Sequence, residues 1–311
     1  MERNTMKAFV IRQPGAQIVE LSEVPVPAIE EDELLVRVHA VGVGIHDSYF
    51  LPRDAKYPYP IGIEAAGVIE QIGSKVSGRE LGERIAFVSS MQPKGGTWAE
   101  FVAVKAGALI VQIPTGMEFI EAAAVPVAGN TVLRAFRALI TMPPGGSLFV
   151  AGGSGAIGTL AIQIARQRGW RVAASASAAN QDHILSLGAQ IALDYRDPRW
   201  QERVLAWTPG GVDAAVAVQP GTSSDSLPVV KDYGALVTIS GDELLPERDV
   251  QCQLVPHQMD VQDELVQLMV DISSGEIHVE LEQVYEFGEA LAALEKVATR
   301  HARGKVVLHL G

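Results

Sequence analysis

The sequence predicts an α/β protein in two parts: a β-rich, mostly antiparallel first part and a doubly wound parallel sheet after it. Three observations predict this. Up to about residue 120, short β-type runs alternate with Gly and Pro turns. From Ser147 onward, strand-like apolar runs alternate with stretches of helical period, as in a parallel sheet covered on both faces. At the head of this second part stands one strand–glycine turn–helix stretch at 147–166, SLFVAGGSGAIGTLAIQIAR.

In chain order, 7–11 and 18–21 flank Pro14-Gly15 and read as a hairpin. Residues 34–41 form a longer apolar run with Arg37 and His39 at alternating positions, the pattern of a half-exposed strand. Runs at 65–72, 84–88, 98–104 and 109–113 continue the series between Gly73, Gly82, Gly95-Gly96 and Pro114. Near Glu118 the period changes. Val132, Leu133, Phe136, Leu139 and Ile140 share one helical stripe, which Pro143-Pro144 ends. Asp197-Pro198 reads as an N-cap and first-turn pair for a helix reaching Trp207. Strands are expected at 212–218 and 234–239, and a helix on Leu265, Leu268, Met269 and Ile272 that stops near Gly275. The tail reads as a strand (278–284), a helix (287–297) and a strand (305–310) that rejoin the first part. The expected division is 1–120, completed by 258–311, and 121–257.

The 147–166 stretch carries the most specific signal. Leu148-Phe149-Val150-Ala151 is an unbroken apolar run of the length of a strand buried on both faces. Gly152, Gly153, Gly155 and Gly158 follow, and Ile157, Leu160, Ala161, Ile164 and Ala165 then recur at helical spacing. Gly153, Gly155 and Gly158 match G-x-G-x-x-G in the strand–turn–helix setting that the pattern requires. Glycine lets the backbone approach a ligand where a Cβ would collide. The helix start offers free N–H groups and the positive dipole end to a pyrophosphate. A glycine-rich connection that binds nothing is the alternative, and the flanking strand and helix weigh against it.

The following strand, 170–175, bears on which dinucleotide. An NAD site places Asp or Glu at its end, where the carboxylate meets the ribose 2′-OH. This chain has Ser175, Ser177 and Asn180 there, and Asp182, the first acid, lies beyond the strand end. The missing acid favours NADP(H), whose 2′-phosphate small hydroxyl residues admit; ordinary loop serines are the alternative.

Whole-chain properties bound the rest. At 311 residues the chain is long enough for two cores. A formal net charge of −12 without a basic run argues against nucleic acid as partner. The single cysteine, Cys252, forms no internal disulfide or thiolate cluster and suits a reducing compartment. The polar start, MERNT, lacks a secretory pattern, and no apolar run reaches about 18 residues. A cytoplasmic protein without membrane association is expected.

Five further segments occur in a telling order. Val41-Gly42-Val43 leads to Asp47 and Tyr49; Pro60-Ile61-Gly62-Ile63-Glu64-Ala65-Ala66-Gly67 fits P-x-x-G-x-E-x-x-G; Gly96-Thr97-Trp98-Ala99-Glu100-Phe101 fits G-[ST]-[YW]-A-E-[YF]. Pro126-Val127-Ala128-Gly129-Asn130-Thr131 and Gly304-Lys305-Val306-Val307-Leu308 complete the set. Together they resemble the medium-chain dehydrogenase/reductase superfamily, in particular its zinc-free quinone oxidoreductase branch. Zinc-dependent relatives place cysteine where this chain has Gly44 and histidine where it has Ile63, so no metal is expected. His39 and His46 have no partner cluster. The quinone reductase branch often has asparagine at Gly44 and arginine at Leu51, and here Arg53 stands two residues further on.

The resemblance implies a GroES-like β-rich catalytic domain joined to a Rossmann cofactor domain. It implies hydride transfer from NADPH to a quinone or an α,β-unsaturated carbonyl, with hydrogen-bond donors rather than a metal at the acceptor oxygen. Tyr49 is the candidate donor, with simple packing as its alternative. For the cofactor, the resemblance implies Asn130 and Thr131 at the nicotinamide and Gly152, Gly153, Gly155, Ala156, Ile157 and Gly158 at the pyrophosphate. Ser175, Ser177 and Asn180 fall at the 2′-phosphate and Tyr195 at the adenosine. Val218, Gln219, Ser240 and Gly241 fall at strand ends, and Lys305 reaches in from the tail. Glu64 reads as structural. A homodimer formed through the cofactor domain is also implied. Two alternatives stay open: an enoyl-thioester reductase, and a non-catalytic NADPH-binding redox sensor or scaffold, which Gly44 favours.

Overall fold

The computed structural model describes residues 4–89, 92–140 and 142–311. The chain opens with β1 (Thr5–Ile11), β2 (Glu20–Pro25), β3 (Glu33–Val43), β4 (Tyr59–Pro60), β5 (Glu64–Ile72), β6 (Arg84–Val88), β7 (Phe101–Lys105) and β8 (Ile110–Gln112). Then follow α1 (Phe119–Ala123), α2 (Pro126–Ala138), β9 (Ser147–Ala151), α3 (Ala156–Gln167), β10 (Arg171–Ala176), α4 (Gln181–Ser186) and β11 (Ile191–Asp194). α5 (Trp200–Trp207), β12 (Val212–Ala217), α6 (Thr222–Ser226), β13 (Val230–Thr238) and β14 (Gln251–Leu254) complete the alternating stretch. The tail holds α7 (Gln262–Ser273), β15 (Leu281–Glu286), α8 (Ala290–Ala298) and β16 (Lys305–His309).

These elements form two compact units. The first comprises the described residues of Met1–Val127 with Gln262–Glu276 and Leu281–Gly311; the second comprises Ala128–Val261 with Ile277–Glu280. In the first unit, β2-β1-β4 make a small sheet and β15-β16-β3-β5-β6-β8 a larger one, with β7 also paired to β3. All these pairings are antiparallel except β15 with β16. Its core gathers Phe9, Val36, Phe87, Trp98 and Leu308, each at most 2% exposed. Burying such side chains contributes roughly 1.5–3 kcal/mol each.

The second unit is a six-stranded parallel sheet in the order β11-β10-β9-β12-β13-β14. This is the Rossmann strand order, and the direction of winding reverses between β9 and β12. Every residue of β9 is buried, as its uninterrupted apolar run requires. Phe149 on β9 stacks on Trp200 of α5, ring centroids 5.1 Å apart, which fixes that helix on the sheet.

The departures from the sequence reading lie at edges. The second strand runs 20–25 rather than 18–21, because β1 pairs Val10 with Glu20 through to Thr5 with Pro25. Val24 is buried there, whereas Ile18 is 75% exposed. Ile140 also leaves its expected stripe, since α2 ends at Ala138 and Ile140 is exposed. β14 has no counterpart in the reading: Gln251-Cys252-Gln253-Leu254 is a largely exposed edge strand and lacks the apolar alternation that would announce it. The strand read at 278–284 runs 281–286, again an edge, with no fully buried position.

Candidate functional site

In the second unit, β9 delivers the chain into the glycine turn. Gly152 takes the left-handed φ of +89° that glycine favours. Gly153 N donates to Ser175 O at 2.7 Å and ties the turn to β10. A Cβ on Gly158 would lie 2.2 Å from Gly152 O and 2.7 Å from Gly153 Cα, so only glycine lets α3 start this close to the turn. Gly155 differs. Its φ is −81°, and the nearest atom to an added Cβ is Gly152 O at 3.9 Å, so the space in front of it is open.

Gly155 is also the N-cap of α3, and no side chain caps that helix. Its first-turn amides, with Ala156 and Ile157 half-buried beside them, are left to a ligand or water. An open, glycine-lined helix start of this kind fits a dinucleotide pyrophosphate. The start of α6 is different, because Asp242 accepts there from Gly221 N at 2.9 Å and from the Ser223 hydroxyl.

The residues expected at the 2′-phosphate separate by exposure. Ser175 is 5% exposed and its Oγ accepts from Gly152 N at 3.4 Å, bracing the glycine turn from within. Ser177 and Asn180 are half-buried, and Asn180 Nδ2 donates to Ser177 Oγ at 3.3 Å and to Ser154 Oγ at 3.4 Å. Sequence reasoning missed Ser154, whose place inside the glycine turn was the available signal. No carboxylate belongs to this hydroxyl–amide group. Tyr195, just past β11, is 47% exposed.

At the neighbouring strand ends, Val218 is nearly buried and its N donates to Ala151 O at 3.1 Å; Gln219 is half-buried. Ser240 is half-buried and Gly241 is exposed at φ +85°. Asn130 and Thr131 lie on α2, both half-buried. Asn130 Oδ1 is buried without a hydrogen-bond partner, an acceptor that lacks a donor.

In the first unit, Tyr49 lies in the turn after β3, 58% exposed. His46 Nδ1 stands 2.5 Å from its hydroxyl, a contact that sequence reasoning missed and that the three-residue spacing in a turn allows. Desolvation, then the charge of Arg300, holds the His46 imidazole below its ordinary range. Asp47 anchors the same turn from inside. It is 2% exposed, and its Oδ2 accepts from Gly44 N and Trp98 Nε1, both at 3.0 Å. Burial pushes its carboxyl up to about 7 against these bonds.

Lys305, expected near the cofactor, is buried on β16 with its Nζ on Glu64 Oε1. Glu64 Oε2 accepts from Val127 N at 2.7 Å, near the start of α2. The residues do not fit a catalytic zinc. Gly44 and Ile63 supply no ligand, the Asp47 carboxylate is engaged, and among the described residues no group of three His, Cys, Asp or Glu side chains could hold a metal.

Comparison with known proteins gives two family matches. The family description "Alcohol dehydrogenase GroES-like domain" matches residues 30–115, and "Zinc-binding dehydrogenase" matches residues 187–308. The chain is 30% identical to an NADPH-dependent alkenal/one oxidoreductase, chloroplastic, of Arabidopsis thaliana, over 98% of this chain and 79% of that one. It is 27% identical to a quinone oxidoreductase of Pseudomonas aeruginosa, over 94% and 96%. Among solved structures, the quinone oxidoreductase of Coxiella burnetii superposes with a TM-score of 0.87 at 25% identity, covering 99% of this chain and all of that one.

Proposed function

The chain belongs to the quinone oxidoreductase-like branch of the medium-chain dehydrogenase/reductase superfamily, and from that membership we propose that it is a zinc-independent, NADPH-dependent reductase of quinones or α,β-unsaturated carbonyls. The observation that carries this reading is the open glycine turn at the uncapped start of α3. The absence of a carboxylate from the Ser154–Ser177–Asn180 group supports NADP(H) over NAD(H). The unpartnered Oδ1 of Asn130 supports a role for α2 in meeting the carboxamide of the nicotinamide.

NADPH, when bound, supplies the hydride. The chain's own residues then have two tasks. The amides of α3 hold the pyrophosphate, and a donor must meet the charge that grows on the acceptor oxygen. We assign the second task to the Tyr49 hydroxyl. A phenol hydroxyl can donate a hydrogen bond or deliver a proton. His46 holds the Tyr49 ring and hydroxyl in one orientation. The Asp47 bonds to Gly44 and Trp98 fix the turn that carries both.

A second reading, a non-catalytic NADPH-binding sensor or scaffold, is favoured by Gly44, which offers no side chain where the branch often has asparagine. The two separate on one assay: NADPH oxidation, followed by absorbance, against a panel of quinones, enones and enoyl thioesters. Turnover supports the reductase, and the preferred acceptor identifies its class, enoyl thioesters included. NADPH binding without turnover on any acceptor favours the sensor. The free edge of β14, with Leu254 53% exposed, supports a homodimer through the cofactor unit. A single half-buried cysteine supports residence in a reducing compartment such as the cytoplasm.

A further inference from the structure

The hydroxyl–amide group proposed for the 2′-phosphate is neutral. Ser154, Ser177 and Asn180 offer hydrogen bonds but no charge, whereas a phosphate is bound most strongly by charge-assisted bonds from a cation. The structure brings one to the adjoining strand end. Ala176, the last residue of β10, lies opposite Asp194, the last of β11, and Tyr195 N donates to Ala176 O at 3.4 Å. The chain turns there: Asp194 Oδ1 accepts from Arg196 N at 2.9 Å and Asp194 O from Asp197 N at 3.0 Å. Arg196 is thereby fixed two residues past the end of β11, beside the strand that leads directly to Ser177.

The guanidinium of Arg196 lies over the Tyr195 ring, 5.2 Å from its centroid. It forms no ion pair and donates no side-chain hydrogen bond among the described residues. Other arginines of this unit spend theirs on the fold: Arg248 on Leu227 O and Val230 O, and Arg203 on Ala192 O. Arg196 keeps its donor fork free, held on an aromatic face at the C-terminal end of the sheet, in a chain of net charge −12. The one carboxylate tied to its own backbone, Asp194, is occupied as a turn acceptor.

We propose that Arg196 is the specificity-determining cation of this site, reading the 2′-phosphate of NADPH from the Tyr195 ring while Ser177 and Asn180 meet the same phosphate from β10. This rests on the dinucleotide reading above. Its test is equilibrium titration of the full chain with NADPH, NADH, 2′,5′-ADP and 5′-AMP, in the wild type, Arg196→Ala and Arg196→Lys. Arg196→Ala is expected to weaken NADPH and 2′,5′-ADP at least tenfold, about 1.4 kcal/mol, and to change NADH and 5′-AMP less than twofold. Arg196→Lys, which keeps the charge, should recover most of the loss. Equal weakening of NADPH and NADH, or no change in either, overturns the inference while leaving the dinucleotide site standing. A wild-type chain that binds neither dinucleotide overturns the function proposed above, and this inference with it.

Discussion

Lys305 on β16 and Glu64 on β5, 241 residues apart in the chain, form an ion pair with side chains only 8% and 2% exposed. Neither charge has water to fall back on. Removing one partner from such a pair costs about 3–5 kcal/mol, because the other stays buried and uncompensated, whereas replacing both is far milder. Lys305→Met should therefore lower stability in urea by about that amount, and Glu64→Gln with Lys305→Met should recover most of it. NADPH affinity in the double variant should equal that of the wild type. A loss of affinity there would give Lys305 a cofactor contact besides its ion pair.

Asp47 makes stability depend on pH. Its folded-state value of about 7 lies above the unfolded value of 3.8, so between the two the folded state holds a proton that the unfolded state has lost. Its stabilising contribution is thus complete below about pH 4, falls as pH rises, and is gone above about pH 7. Asp47→Asn keeps an acceptor for Gly44 N and Trp98 Nε1 without the charge. It should gain stability over the wild type as pH rises from 4 to 8, with the two curves converging at the acid end. Parallel curves from urea midpoints across that range would show that Asp47 titrates normally.

Gly155 and Gly158 predict opposite phenotypes for the same added methyl. Gly158→Ala drives a Cβ into Gly152 O and should cost about 3 kcal/mol or more, seen as a lower Tm. Gly155→Ala meets nothing closer than 3.9 Å and should leave Tm within a degree or two, about the effect of less than 0.5 kcal/mol. Its methyl faces the space assigned to the pyrophosphate, so NADPH affinity should fall at least tenfold. Unchanged affinity in Gly155→Ala would remove the pyrophosphate from this turn.

Tyr49→Phe removes one hydroxyl from an exposed turn and should leave both stability and NADPH affinity nearly unchanged. A donor to the transition state is worth roughly 1–3 kcal/mol, so turnover on a good acceptor should drop about ten- to a hundredfold. Single-turnover measurement with saturating NADPH separates this from slow product release. Full turnover in the variant would return Tyr49 to a packing role beside His46.

The parts of the fold that were legible in the sequence are those in which one local pattern determines one structure. The buried run of β9, the glycines after it and the periodic face of α3 all state the same answer, and the sheet forms around them. Strand identity along β10 was legible too, but not the bond that Ser175 Oγ accepts from Gly152 N. Both faces of that strand are buried, so alternation does not tell a serine aimed at a ligand from one that braces Gly152 N. Lys305 posed the same problem over a longer range, since nothing near it in sequence announces Glu64. The contact of His46 with Tyr49 was not legible because it is set by a turn, whose geometry carries no period. β14 went unread because an exposed polar edge owes its strand conformation to β13, through pairs such as Leu236 with Cys252.

The place of β16 also sets a timetable. Residues 306–309 pair with 40–43 of β3, so that stretch of β3 lies open from its synthesis until the tail has been made. Meanwhile the parallel sheet, built from strands between Ser147 and Leu254, has all its partners in hand and completes first. A nascent chain therefore carries an unpaired, apolar strand edge for most of its time on the ribosome, the kind of surface that templates aggregation. Yield in the cell should accordingly depend on chaperones that shield that edge, even though the finished protein hides it.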